Sequence, residues 1–159
     1  MSRKGTVQEA IRQQRPLRST RQEAFLSLLL AAAEVRGRFE EHFAGAEGLT
    51  LQQYNVLRIL RGAGSEGLPT LDIGERMIER TPGVTRLVDR LIEKKLVERE
   101  RSGEDRRQVW CRITARGRQL LSRFDVQVDA LEEHAFGCLK AEELRTLIQL
   151  LDRVRNHQP

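Results

Sequence analysis

Between residues 81 and 114 the chain carries side chains suited to one kind of chemistry: hydrogen bonding and ion pairing to phosphates and base edges. The segment TPGVTRLVDRLIEKKL opens with Thr81, Pro82 and Gly83, then sets Thr85, Arg86 and Arg90 opposite Val84, Leu87, Val88, Leu91 and Ile92. A helix divided in this way buries one face and offers hydroxyl and guanidinium donors on the other, a form that fits a DNA major groove. Arginine paired to guanine is worth about 1–3 kcal/mol of discrimination between bases. Downstream, VERERSGEDRRQVWCRIT reads as a hairpin whose tip carries Asp105, Arg106 and Arg107. Helix and hairpin together predict a winged helix-turn-helix, with Thr70, Arg76, Arg80 and Thr81 as further candidates for phosphate contacts.

Other chemistries find little support. The sequence shows no nucleophile–base arrangement, phosphate loop or metal motif, so neither an enzyme nor a resident cofactor is expected. His42, His134 and His157 are scattered without metal-ligand spacing. Cys111 and Cys138 are too few for a disulfide framework; they suit a reducing cytoplasm and read as structural thiols.

Charge is distributed unevenly over the 159 residues. Net charge is +5 over 1–21, −4 over 22–75, +7 over 76–123 and −3 over 124–159. Positive charge therefore gathers on the candidate DNA-binding segment and on an N-terminal arm, favouring approach to phosphates. Hydrophobic residues make up 39% of the chain, enough for a core, yet no apolar run is long enough to span a membrane. The basic N-terminus is followed by no apolar signal core, so a cytoplasmic rather than secreted protein is expected.

The elements that must hold these residues follow from periodicity. Residues 1–19 lack an apolar period and form a basic arm or short docking helix. Phe25, Leu28, Leu29, Ala32, Val35, Phe39 and Phe43 recur at helical steps until Gly45 and Gly48. Thr50 and Gln53 make a capping box for a second helix with Tyr54, Leu57, Ile59 and Leu60 inward. A third helix follows Pro69 and runs through Leu71, Ile73, Met77 and Ile78; Thr81 as N-cap and Pro82 in the first turn then open the basic helix. Thr114 caps a long helix bearing Leu120, Leu121, Phe124, Val128, Leu131 and Phe136. A last helix over about 141–154 is striped by Leu144, Leu147, Ile148, Leu150 and Leu151. The fold class is mainly α with a small β wing. Its parts are an arm at 1–19, a long helix at 20–48, a DNA-binding lobe at 49–114 and two helices at 115–159. Two long helices with broad apolar stripes exceed what so small a domain needs for its own core, which independently favours self-association.

The order of elements, the recognition helix, the D-x-R sequence at 105–107 and the helix start Ile113-Thr114-x-x-Gly117 together resemble the MarR family of bacterial transcription regulators over roughly residues 20–155. The resemblance implies a homodimer, with 20–48 and 115–159 as the dimerisation helices, double-stranded DNA as partner, and a pseudo-palindromic operator, with repression the usual outcome. It makes Arg107 the minor-groove residue and Asp105 its organiser. It also implies release from DNA by a small aromatic or phenolic effector, with Phe39, His42, Phe43 and Tyr54 as candidate pocket residues. The alternative is a winged helix used for protein interaction without operator binding. The chain departs from the family pattern at three positions. Lys95 stands where a glycine usually ends the recognition helix, Gly74 where alanine is commoner, and Lys140 where a hydroxyl usually caps the last helix.

Overall fold

The computed structural model describes residues 5–45, 48–79, 83–101 and 109–157. The N-terminal arm contains one turn of helix, α1 (Val7–Ala10), closed by a capping box between Thr6 and Glu9. The long α2 (Thr20–Gly45) follows, then α3 (Leu51–Gly62). As the T-x-x-Q pattern predicts, Thr50 Oγ1 accepts the Gln53 N–H at 3.2 Å and Gln53 Oε1 accepts the Thr50 N–H at 3.2 Å. A short strand β1 (Leu68–Pro69) leads into α4 (Thr70–Arg76), and α5 (Val84–Glu93) carries the candidate reading face. Strands β2 (Val97–Arg101) and β3 (Val109–Ile113) precede α6 (Ala115–Phe136) and α7 (Ala141–Arg155).

The antiparallel sheet has the order β1-β3-β2, with Val97 opposite Ile113 and Leu68 opposite Cys111. β1 lies in a stretch whose glycines and proline read as a loop, so the third strand is an addition to the predicted hairpin. The core gathers between α3, α4, α5, the sheet and the first half of α6, around Val56, Leu57, Leu60, Ile73, Val88, Leu91, Val97 and Leu121.

Two predicted boundaries shift. α4 ends at Arg76 because Met77 turns extended (ψ 137°), burying its side chain and leaving Ile78 exposed. α5 starts at Val84, with Gly83 at the N-cap in a left-handed conformation (φ 108°), rather than behind a Thr81–Pro82 cap. Glycine adopts that backbone without a Cβ penalty.

The start of α6 locks several elements together. Thr114 Oγ1 accepts the Gly117 N–H at 3.0 Å and donates to the Lys95 carbonyl at 2.9 Å. The Leu96 carbonyl accepts the Thr114 N–H at 3.0 Å. A Cβ on Gly117 would lie 2.3 Å from that carbonyl oxygen, so only glycine permits the approach. Lys95 is left-handed (φ 60°), the conformation its place at the end of the recognition helix requires. At α7 the Glu143 carboxylate accepts the Lys140 N–H at 2.7 Å, the half of a capping box that a lysine at the cap leaves possible.

Candidate nucleic-acid interface

α5 is strongly two-faced. Leu87, Val88 and Leu91 are buried, whereas Thr85, Arg86 and Arg90 are exposed. Arg86 and Arg90 lie one turn apart and, among the described residues, neither enters an ion pair, leaving both guanidinium groups open to an external anion. The acid between them is neutralised within the lobe, since Asp89 Oδ1 meets Arg99 Nη2 of β2 at 2.9 Å. That pair also fixes the base of the wing beside the helix. Gly83 is exposed at the first turn, so backbone there can come close to a ligand.

The lesser candidates separate. Arg76 is exposed in the last turn of α4. Thr70 is half-buried, and its hydroxyl lies 3.5 Å from the Cys111 thiol. It faces β3 at least as much as solvent. Arg80, Thr81, Pro82 and the wing tip with Asp105, Arg106 and Arg107 lie outside the described residues. Cys111 is fully buried and Cys138 exposed. Among the described residues no three His, Cys, Asp or Glu side chains gather as a metal site, and no helix is long and apolar enough to cross a membrane.

Behind the interface, a cavity of about 660 Å³ opens between α2, α3, α6, α7 and the segment that leaves α4. Phe39 and Tyr54 line it, as the sequence suggests. Phe43 and His42 do not. Phe43 is fully buried with its ring centroid 4.9 Å from both Tyr54 and Phe124, so it belongs to the core. His42 sits one residue earlier, turned out of the cavity, with Nε2 2.9 Å from Gln127 Oε1. Adjacent helix positions are about 100° apart, which is why a sequence stretch cannot put both on one pocket wall. Burial, reinforced by the nearby Asp125 carboxylate, pushes the Tyr54 phenol above its ordinary range, with Arg58 and Arg61 opposing.

Sequence reasoning missed the polar lining. Asn55, Arg58, Arg36, Met77 and Glu79 all border the cavity. Arg36 of α2 pairs with Glu79, joining the long helix to the turn before α5. Arg58 donates from Nη2 and Nε to Asn55 Oδ1 at 2.8 and 3.3 Å. An arginine on the polar side of an amphipathic helix carries no signal of its own, and the Arg36–Glu79 contact spans 43 residues.

Comparison with known proteins agrees with this arrangement. A family model described as MarR family matches residues 47–108. The uncharacterised HTH-type transcriptional regulator YpoP of Bacillus subtilis is 32% identical over 110 residues, covering 67% of this chain and 74% of its own. The crystal structure of a MarR transcription factor from Planctomyces limnophilus shares 39% identity and a TM-score of 0.67, over 86% of this chain and 98% of that one. BpsR of Bordetella bronchiseptica, whose DNA binding is regulated by 6-hydroxynicotinic acid, has the same fold at 24% identity. Its TM-score is 0.76, over 91% of this chain and 100% of that one.

Proposed function

Because the chain belongs to the MarR family, and so is a DNA-binding transcription regulator, we propose that it works as a homodimeric, ligand-responsive repressor on a pseudo-palindromic operator. The observation that carries the DNA-reading part is α5, with buried Leu87, Val88 and Leu91 behind exposed Arg86 and Arg90, which form no ion pair among the described residues. Thr85 and Arg86 read base edges in the major groove, and Arg90 takes a base or a phosphate. Arg107, set by Asp105 and flanked by Arg106, enters the minor groove, whose negative potential is greatest where it is narrow. Arg76 and Arg80 contact phosphates, as do Thr81 and, to a lesser degree, Thr70.

Dimerisation is supported by apolar surface that the protomer leaves uncovered. α7 buries none of its residues, and Phe25, Ile148 and Val154 are 61%, 57% and 65% exposed. Large contiguous apolar faces on α2 and α7 mark an interaction surface. A second copy covers like with like and sets two α5 helices on half-sites roughly 34–36 Å apart. The cavity between α2, α3, α6 and α7 supports the ligand-responsive part, since a pocket of this size is typical of small-molecule sites. A protein-interaction role for the winged helix gives way to the family membership.

The test is operator recovery by binding-site selection, followed by fluorescence anisotropy of the recovered duplex and sedimentation of the protein alone. The expected results are a dimer, an affinity that falls steeply with salt, and an Arg86→Ala variant with a weaker and less selective profile. A selection profile for Arg86→Ala identical to wild type, or salt-insensitive binding, would remove the reading.

A further inference from the structure

The N-terminal arm carries a charge that nothing in its own protomer neutralises. Arg12, Arg15, Arg18 and Arg21 recur at three-residue steps and all are exposed. None enters an ion pair among the described residues. The one acid of that stretch, Glu9, accepts the Thr6 N–H at 2.9 Å in the capping box of α1. The arm nevertheless has a fixed shape. Gln8 Nε2 donates to the Gln13 carbonyl at 3.2 Å, Gln13 Nε2 to the Arg15 carbonyl at 3.1 Å, and Gln22 Oε1 accepts the Arg18 N–H at 2.7 Å. Arg12 is left-handed (φ 53°), a backbone that a residue with a side chain keeps only where its surroundings impose it. An arm set in place with its cations outward presents a surface for acids.

The chain holds the matching surface at the corner where α6 gives way to α7. Residues 125–143 contain six acids against the single base Lys140, a net charge of −5 to set beside the +5 of residues 1–21. Asp125 is taken up by Arg61. Asp129, Glu132, Glu133 and Glu142 are exposed and form no ion pair among the described residues. This corner is not level with the arm of its own chain. Phe43 meets Phe124 and His42 meets Gln127, so α2 and α6 run antiparallel and α6 ends beside the middle of α2. From there to Thr20 is roughly a dozen residues of helix, or about 18 Å. The arm is also remote from α5. The far end of α2 is tied to α5 through Lys94 and the Gly48 carbonyl, and its 26 residues set Thr20 about 38 Å from there.

We propose that each arm clasps the α6–α7 corner of a second copy, so that two reciprocal sets of arginine–carboxylate pairs border the dimer. The inference rests on the dimer reading above and adds a segment outside the matched family region and a charge-based contact to an apolar one. Two-fold symmetry makes the contact reciprocal, because whatever one arm meets on its neighbour the other arm meets in return. The clasp also continues the surface already given to the second copy. Exposed Phe25, Leu28 and Leu29 follow the arm on α2, and exposed Ile148 and Leu151 follow the corner on α7. An apolar centre with a charged border is the usual anatomy of an interface. Border pairs are weak singly and screened by salt, but several together select the partner and its register.

The test measures dimer dissociation of the full-length protein by dilution in fluorescence-detected sedimentation, with the label at the C-terminus. Arg15→Glu/Arg18→Glu and Asp129→Lys/Glu133→Lys each set like charges face to face, so each should raise the dimer Kd at least about tenfold at 0.1 M salt. In 1 M salt, where the screening length falls to about 3 Å, the difference should shrink to less than about threefold. The variant carrying all four changes restores opposite charges and should return to within about threefold of wild type, a rescue that damage to the fold cannot produce. Reversals that dissociate no more readily than wild type, or a fourfold variant weaker than either pair, overturn the clasp. An arm reversal that leaves the dimer intact but lowers operator affinity gives the arm to DNA and likewise overturns it. A wild type that sediments as a monomer at every concentration removes the dimer reading and the clasp with it, whereas a dimer indifferent to the reversals removes the clasp alone.

Discussion

Replacing Gly117 by alanine should destabilise the protein far more than a methyl group on a helix ordinarily does. The new Cβ would meet the Leu96 carbonyl oxygen at 2.3 Å and Ile113 Cγ1 at 2.8 Å. The isoleucine can change rotamer, but the carbonyl cannot swing away without breaking its hydrogen bond from the Thr114 N–H. Relief must come from moving α6 away from the end of α5. Overpacking of this kind costs about 1–3 kcal/mol, and alanine returns up to about 1 kcal/mol of helix propensity. A net loss of about 2 kcal/mol is expected, with weakened operator binding because the displaced backbone joins α5 to the wing. Gly74→Ala is the matched control. Its Cβ meets only Val84 Cγ2, at an ordinary 3.5 Å, and its backbone is helical. That variant should be more stable than wild type by about 0.5–1 kcal/mol. Urea unfolding at one fixed protein concentration compares the three proteins, because the midpoint of any self-associating protein depends on concentration. A midpoint for Gly117→Ala at or above wild type would falsify the close-approach argument; a Gly74→Ala variant as unstable as Gly117→Ala would show that glycine is needed in these helices for another reason.

Lys95 holds a left-handed conformation that costs a side-chain-bearing residue about 1 kcal/mol. Lys95→Gly should therefore raise the unfolding midpoint and Lys95→Val lower it, and the opposite order would show the backbone there to be unstrained. Tyr54 is the chain's only tyrosine, so tyrosinate absorbance reports it alone. Burial and Asp125 hold its folded pKa above the ordinary 10.0, and in urea the titration should fall back to that value. Since the folded pKa is the higher one, the neutral phenol's contribution to stability is complete below about pH 10. It is lost as pH rises through the folded pKa. A native titration at or below the value in urea would contradict the burial argument.

Much of the fold was legible because its signals are local. Helical periodicity located α2, α3, α6 and α7, the Thr50–Gln53 box located the start of α3, and the division of Val84–Ile92 from Arg86 and Arg90 located the exposed face of α5. Lys95 stands where the family usually has glycine, and its backbone is left-handed, as that place requires. What escaped depends on partners distant in sequence. β1 exists only because β3 pairs with it, and two residues of Leu-Pro carry no strand period. The α5 start moved because Gly83 tolerates a positive φ that Thr81 and Pro82 would not reveal. The pocket was half legible: the family resemblance pointed to Phe39 and Tyr54, which line the cavity, but periodicity could not separate a cavity wall from the core, where Phe43 sits. Its polar side was not legible at all, since Arg36, Asn55 and Arg58 acquire meaning only from Glu79 and Met77.

The same contacts join the long helices α2 and α6 to both elements proposed to contact DNA, α5 and the wing. α5 and the wing behave as one piece: Asp89 is tied to Arg99, and Leu96 opens directly into β2. α6 grips that piece at its joint, through Thr114 on Lys95 and the glycine seat of Gly117 on Leu96. It grips α3 separately, through the two-pronged Arg61–Asp125 pair at 2.6 and 3.0 Å and the Phe43–Tyr54–Phe124 ring cluster. α3 in turn reaches the other end of α5 through Asn55 and Met77. A recognition helix held at its C-terminal end by α6 and approached at its N-terminal end through α3 cannot follow a shift of either without changing its tilt. A change in tilt alters the reach of Arg86 and Arg90 while leaving the core contacts of Leu87, Val88 and Leu91 in place. On the proposed ligand-responsive reading, a small relative movement of α3 and α6, which both line the cavity, would be enough to move α5 without unfolding the lobe.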